Sequence, residues 1–147
     1  MNTDTCNIDE IKRLIPHRYP FLLIDKVIDI VKNQSATGIK NVTVNEPYFT
    51  GHFPSSPVVP GVLQIESMAQ TAAVLVAKSL NVSDSTALVL LTTIDKAKFR
   101  KPVVPGDVML LAISVQKMRN NLWKFKGEVI VDSQKVSECE FSAMMRI

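Results

Sequence analysis

The 147-residue chain reads as an α+β domain in which a mostly antiparallel β-sheet wraps one long central helix. Three observations predict this. One long stretch of helix-forming residues is apolar on nearly every side. Several later segments show the two-residue alternation of strands, and polar triplets suited to hairpin turns separate them. Hydrophobic residues make up 46% and charged residues 21%, a balance that excludes a disordered chain and fits one domain over 1–147.

Asn7-Ile8-Asp9-Glu10, followed by Ile11, Leu14 and Ile15, predicts a capped amphipathic turn or two that Pro16 halts. Phe21 to Val31 is rich in branched residues and predicts a strand. Ser35 to Val44 is its expected hairpin partner, across Lys32-Asn33-Gln34. Residues 45–60 hold Pro47, Pro54, Pro57 and Pro60 and are expected to be irregular. Val62 to Leu80 carries the helix, with small and straight-chain residues throughout and Gly61 opening its first turn. Because apolar residues surround it, the helix is expected to be buried.

Beyond it, Ala87 to Ile94 and Val108 to Val115 are unbroken apolar runs, which predicts strands buried on both faces. Leu122 to Val131 places Trp123, Phe125, Gly127, Val129 and Val131 on one face. Cys139, Phe141, Ala143 and Met145 form a second such stripe. Arg119-Asn120-Asn121 and Asp132-Ser133-Gln134 are the expected turns.

Composition removes several functions. Seventeen Lys and Arg against 14 Asp and Glu give a net charge of +3, enough to favour an acidic partner but short of a nucleic-acid-binding stripe. The Val62–Leu80 stretch contains Gln64, Glu66, Gln70 and Lys78, which argues against a membrane span. Cys6 and Cys139 form neither a zinc spacing nor a C-x-x-C motif, and the first residues carry no export pattern. A cytoplasmic location is therefore expected. No metal-ligand grouping, nucleophile elbow or Gly-rich phosphate loop is present.

The informative segment runs from Gly51 to Glu66. Glu66 lies on the second turn of the helix among Val62, Leu63, Ile65 and Ala69. Desolvation there favours a carboxyl that keeps its proton to donate, although a structural Glu bonded to a backbone or basic group fits the same position. His52 stands in a loop whose prolines fix three φ angles, and taken alone it is equally consistent with a structural histidine. Together with free N–H groups at Gly61 and Val62, the two residues offer a base, an acid and an oxyanion site. That set suits proton removal beside a carbonyl. Ser55 and Ser56, between prolines, read as turn residues rather than nucleophiles.

These residues resemble the (3R)-hydroxyacyl-acyl-carrier-protein dehydratase family of type II fatty-acid synthesis. The likeness spans nearly the whole chain: Leu14-Ile15-Pro16-His17-Arg18-Tyr19-Pro20-Phe21-Leu22-Leu23-Ile24-Asp25, Gly51-His52-Phe53-Pro54, Pro60-Gly61-Val62-Leu63, Glu66-Ser67-Met68-Ala69-Gln70, and Lys98 to Asp107. It implies a hotdog fold, homodimers assembling as hexamers (trimers of dimers), and a site in which His52 of one subunit faces Glu66 of the other. It further implies an oxyanion donor at the Gly61 N–H, with Val62 and Phe53 beside it and Gln70 orienting Glu66. No cofactor or metal is implied. Glu66 stands where the dehydratase-isomerase branch usually has Asp, and Ser55-Ser56 departs from the common pattern of Gly plus a charged residue. An acidic carrier protein is the expected partner, and Lys96, Lys98, Arg100 and Lys101 are either its docking patch or a lysine-blunted strand edge. Two other readings stay open at this point: a hotdog acyl thioesterase and a non-catalytic acyl-thioester-binding module.

Overall fold

The computed structural model describes residues 3–82 and 88–146. Strand β1 (Asp4–Cys6) leads into helix α1 (Ile8–Leu14). The Asn7 side chain accepts from the Glu10 N–H while the Glu10 carboxyl accepts from the Asn7 N–H, a reciprocal cap that starts the helix. Strands β2 (Lys26–Val31) and β3 (Ser35–Asn41) form the first hairpin. A 3-10 turn, Pro47–Thr50, precedes helix α2 (Gly61–Ser79). Strands β4 (Leu88–Phe99), β5 (Val108–Arg119), β6 (Leu122–Val131) and β7 (Gln134–Arg146) complete the chain.

All seven strands pair antiparallel in one sheet, ordered β1-β2-β3-β5-β6-β7-β4. Helix α2 packs against β2 to β7, so the sheet curls around it. This is the hotdog arrangement. The tight β6–β7 turn uses Asp132 and Ser133 with φ of 50° and 65°, the left-handed pair that matches the twist of a two-residue hairpin.

Two glycines let the helix sink into the sheet. A Cβ on Gly38 of β3 would collide with the Thr71 side chain. One on Gly127 of β6 would stand 2.6 Å from the Met68 sulfur and 3.1 Å from the Ile113 Cδ1. Gly127→Val is therefore expected to lower stability by about 1–3 kcal/mol through overpacking. Urea unfolding at fixed protein concentration measures it.

Several expectations need correction. Residues 21–25 are not strand, because the Gln70 side chain of α2 takes up their backbone. Its Oε1 accepts from the Leu23 N–H at 2.8 Å and its amide donates to the Phe21 carbonyl at 2.8 Å. Strand β3 stops at Asn41, three residues early. The expected start at Ala87 lies outside the described residues, and β4 runs on to Phe99. Neither β4 nor β5 is buried on both faces. β5 buries only alternate residues (Met109, Leu111, Ile113). β4, at the sheet edge, leaves Leu88, Leu90, Leu91, Ile94 and Phe99 exposed. Strand β1 carries no pattern long enough to read.

Candidate active site

The loop that presents His52 is closed by its own backbone. The His52 N–H bonds to the Tyr48 carbonyl, Phe53 and Ser56 exchange both backbone bonds, and the Val58 N–H returns to the His52 carbonyl at 3.1 Å. Ser55 is a turn residue within that exchange. Val59 ties the loop to the Val103 carbonyl at 2.8 Å. The half-buried His52 ring lies over Phe53, with centroids 4.1 Å apart, and its Nδ1 stands 2.7 Å from the Val58 carbonyl oxygen. A carbonyl only accepts, so Nδ1 carries a proton, and in the neutral tautomer this leaves the lone pair on Nε2.

Pro60 caps α2. Its carbonyl accepts from the N–H groups of Leu63 and Gln64, while those of Gly61 and Val62 have no acceptor among the described residues. Gln64 pins this end to β7 by accepting from the Ser137 hydroxyl at 2.7 Å. A cavity of about 510 Å³ gathers His52, Pro60, Gly61 and Val62 with Phe99, Arg100 and Lys101. A Cβ on Gly61 would lie 2.8–3.0 Å from the Phe99 ring. Glycine there lets the ring close the cavity against bare backbone, beside helix N–H groups left without an acceptor among the described residues.

Glu66 lies elsewhere. It lines a second cavity of about 220 Å³ with His17, Ala69, Gln70, Ala73 and Leu91. Within one chain His52 and Glu66 thus face different spaces. Nor are the neighbours of Glu66 purely apolar, as its helix position suggests. Gln70 donates to its Oε1 at 3.0 Å, and the His17 Nε2 is 3.6 Å from the same oxygen. The Gln70 amide is itself held at both ends by Phe21 and Leu23. His17 is held below the usual imidazole value of 6.5, mainly by burial and against the pull of Glu66, so its ring is neutral near pH 7.

The four basic residues divide. Arg100 and Lys101 open onto the His52 cavity, whereas Lys96 and Lys98 flank a groove with Glu138 and Glu140. Lys96 pairs with Glu140 at 3.3 Å and Arg100 with Glu138 at 2.9 Å. Lys135 and Arg100 hold the Glu138 carboxyl at about 2, well below the ordinary 4.5. Lys98 has no ion-pair partner among the described residues. No group of three or more His, Cys, Asp or Glu among them is arranged to hold a metal ion, and no described helix is long and apolar enough to cross a membrane.

Sequence reasoning gave His17 no role beyond its place in the Leu14–Asp25 motif. The signal that finds it is the one applied to His52, a histidine in a segment stiffened by neighbouring prolines, here Pro16 and Pro20.

A family model described as a FabA-like domain matches residues 15–140. The chain is 56% identical over 145 residues to the 3-hydroxyacyl-[acyl-carrier-protein] dehydratase FabZ of Cereibacter sphaeroides, covering 99% of this chain and 94% of that one. It is likewise 56% identical over 142 residues to the protein of the same description from Rickettsia bellii, covering 97% of each. Among solved structures it is similar to the dehydratase heterocomplex ApeI:P from Xenorhabdus doucetiae. The TM-score is 0.81 at 19% identity, over 94% of this chain and 91% of that one. At so low an identity this likeness speaks for the fold alone.

Proposed function

The chain belongs to the FabA-like family and, within it, to the FabZ-type 3-hydroxyacyl-[acyl-carrier-protein] dehydratases, and from that premise we propose that His52 of one subunit and Glu66 of a second copy form its site. It is a hydro-lyase of fatty-acid biosynthesis that acts on acyl groups carried by acyl carrier protein. The observation that carries the proposed site is the split of its parts. One cavity holds the imidazole and the free helix N–H groups, the other holds the carboxyl, and each lacks what the other has.

The reaction removes water from a (3R)-hydroxyacyl thioester to give a trans-2-enoyl thioester. The Nε2 lone pair of neutral His52 takes a proton from C2. The electron pair left behind moves toward the thioester oxygen, where the Gly61 N–H and the α2 dipole stabilise the growing charge. As it returns to form the C2–C3 double bond, the C3–O bond breaks and Glu66 gives its proton to the departing hydroxyl. His52 is left protonated and Glu66 ionised, and proton exchange with water resets both. Phe53 holds the ring by stacking, and Val62 and Phe99 wall the reacting carbons. The Ala69 and Ala73 face of α2 leaves room for the acyl chain.

Purified protein given a 3-hydroxyacyl-carrier substrate is expected to produce ultraviolet absorbance of a conjugated enoyl thioester with no thiol released. Thiol release without that absorbance contradicts dehydration and indicates hydrolysis.

The second copy is supported by the open edge of β4, whose exposed leucines and Ile94 are an aggregation liability unless another strand covers them. We propose a dimer through that edge, assembling further into a hexamer. A cytoplasmic location is supported by Cys6 and Cys139, both buried and unpaired, with thiols pushed up to about 11 by burial. The carrier's acidic surface is proposed to meet Arg100 and Lys101 at the mouth of the His52 cavity and Lys98 on the separate groove beside Glu138. Reversing charge at Lys98 and Arg100 is expected to raise KM for carrier-linked substrate severalfold and flatten its dependence on salt. Unchanged KM and salt response assign these residues to a blunted strand edge instead.

A further inference from the structure

The second half-buried imidazole has no part in the reaction just described, and its geometry gives it one. His17 presents Nε2 to the Glu66 Oε1 at 3.6 Å, while its Nδ1 is enclosed with no hydrogen-bond partner among the described residues. An enclosed N–H without an acceptor forfeits a full hydrogen bond. The ring proton is therefore better placed on Nε2, where a carboxyl oxygen can accept it. The Gln70 amide donates to the same oxygen at 3.0 Å. Gln70 thus hydrogen-bonds Oε1, and the His17 Nε2 approaches the same oxygen from just beyond hydrogen-bond length.

The segment bearing His17 is braced for this task. The Arg18 guanidinium donates to the carbonyls of His17 at 2.7 Å, Ile15 at 2.9 Å and Lys12 at 2.8 Å, locking the turn after α1. Burial keeps the ring neutral near pH 7, so His17 brings a directed N–H rather than a competing charge.

We propose that His17 is a positioning residue for Glu66: its Nε2–H and the Gln70 amide occupy Oε1, so that Oε2 is the oxygen that carries the proton to the departing hydroxyl. This rests on the assignment of Glu66 as the acid. An oxygen that accepts from two N–H groups has both lone pairs engaged, which leaves the acidic proton to the other oxygen. The carboxyl is then fixed in rotation, which matters because proton transfer requires alignment as well as reach.

The test compares isosteres. In His17→Gln the side-chain amide reaches the place of Nε2, and kcat is expected to stay within about threefold of the parent. In His17→Asn the amide stops at the place of Nδ1, and kcat is expected to fall roughly tenfold at little-changed KM, the size of one hydrogen bond. His17→Leu is expected to match His17→Asn, and thermal melts confirm that each variant folds. If Asn proves unstable, the contrast of Gln with Leu decides. In the Glu66→Gln background, His17→Asn is expected to cost nothing further, since it acts only through the carboxyl. Equal kcat for the Gln and Asn variants, or a full additional loss in the Glu66→Gln background, overturns the positioning role and leaves Glu66 as the acid. Full activity of Glu66→Gln alone removes the acid assignment and this proposal with it.

Discussion

His52→Ala is expected to lower kcat by about 10²–10⁴-fold, the usual worth of a positioned base, while the melting temperature stays near that of the parent. The loop does not depend on the ring for its shape. Three prolines, the Phe53–Ser56 exchange and the Val59–Val103 bond hold it without the imidazole. The informative companion is His52→Asn. Its amide can replace the Nδ1 donation to the Val58 carbonyl but supplies nothing at Nε2. A histidine that merely anchors the loop is rescued by Asn, whereas a base is not. Both variants are therefore expected to be equally inactive, and recovery of activity in Asn alone assigns His52 to the loop's scaffold. Steady-state rates of enoyl thioester hydration, the reverse reaction, measure this without a carrier protein.

Glu66→Gln is expected to produce a loss of the same order, about 10²–10⁴-fold in kcat with KM little changed. The substitution keeps the shape of the side chain and an oxygen for Gln70 and His17 to bond, so packing against Ala69 and Ala73 is undisturbed. What it removes is a proton that can be given up. A variant that retains most of its kcat shows that the leaving hydroxyl finds its proton elsewhere. A large rise in KM at constant kcat points instead to ground-state binding. Single-turnover rates with carrier-linked substrate separate the two.

The readable parts of the chain are those whose burial is settled within one copy. The alternation in β6 and β7 translates directly into inward Trp123, Phe125, Phe141 and Met145, because one face of each strand meets α2. The helix was legible for the same reason. The capping box at Asn7 and the turns at Asn120 and Asp132 are local chemistry and also read correctly. Failure came where a segment's partners lie far off in sequence. The branched residues of 21–25 suggest a strand, yet a helix side chain 47 residues away takes up the Leu23 N–H. The apolar runs of β4 suggest burial on both faces. In one copy they lie open at a sheet edge, the edge at which the proposed dimer would add another strand. His52 and Glu66 were picked out by residue type and setting, but Glu66's polar neighbours were not. His17 reaches it from a turn 49 residues earlier, a proximity that no local pattern encodes.

The central claim is that each catalytic centre draws its imidazole and its carboxyl from different chains, and mixing two inactive proteins tests it. Co-expressed His52→Ala and Glu66→Gln subunits pair at random, and half the dimers are mixed. In a mixed dimer with a two-fold axis, one site carries both lesions and the other carries neither. The population is expected to recover about a quarter of the parent's activity, although each variant alone is nearly inactive. If both groups act from the same chain, every site in every dimer keeps one lesion. Mixing then yields no more activity than the two variants assayed separately, and that result contradicts the shared site.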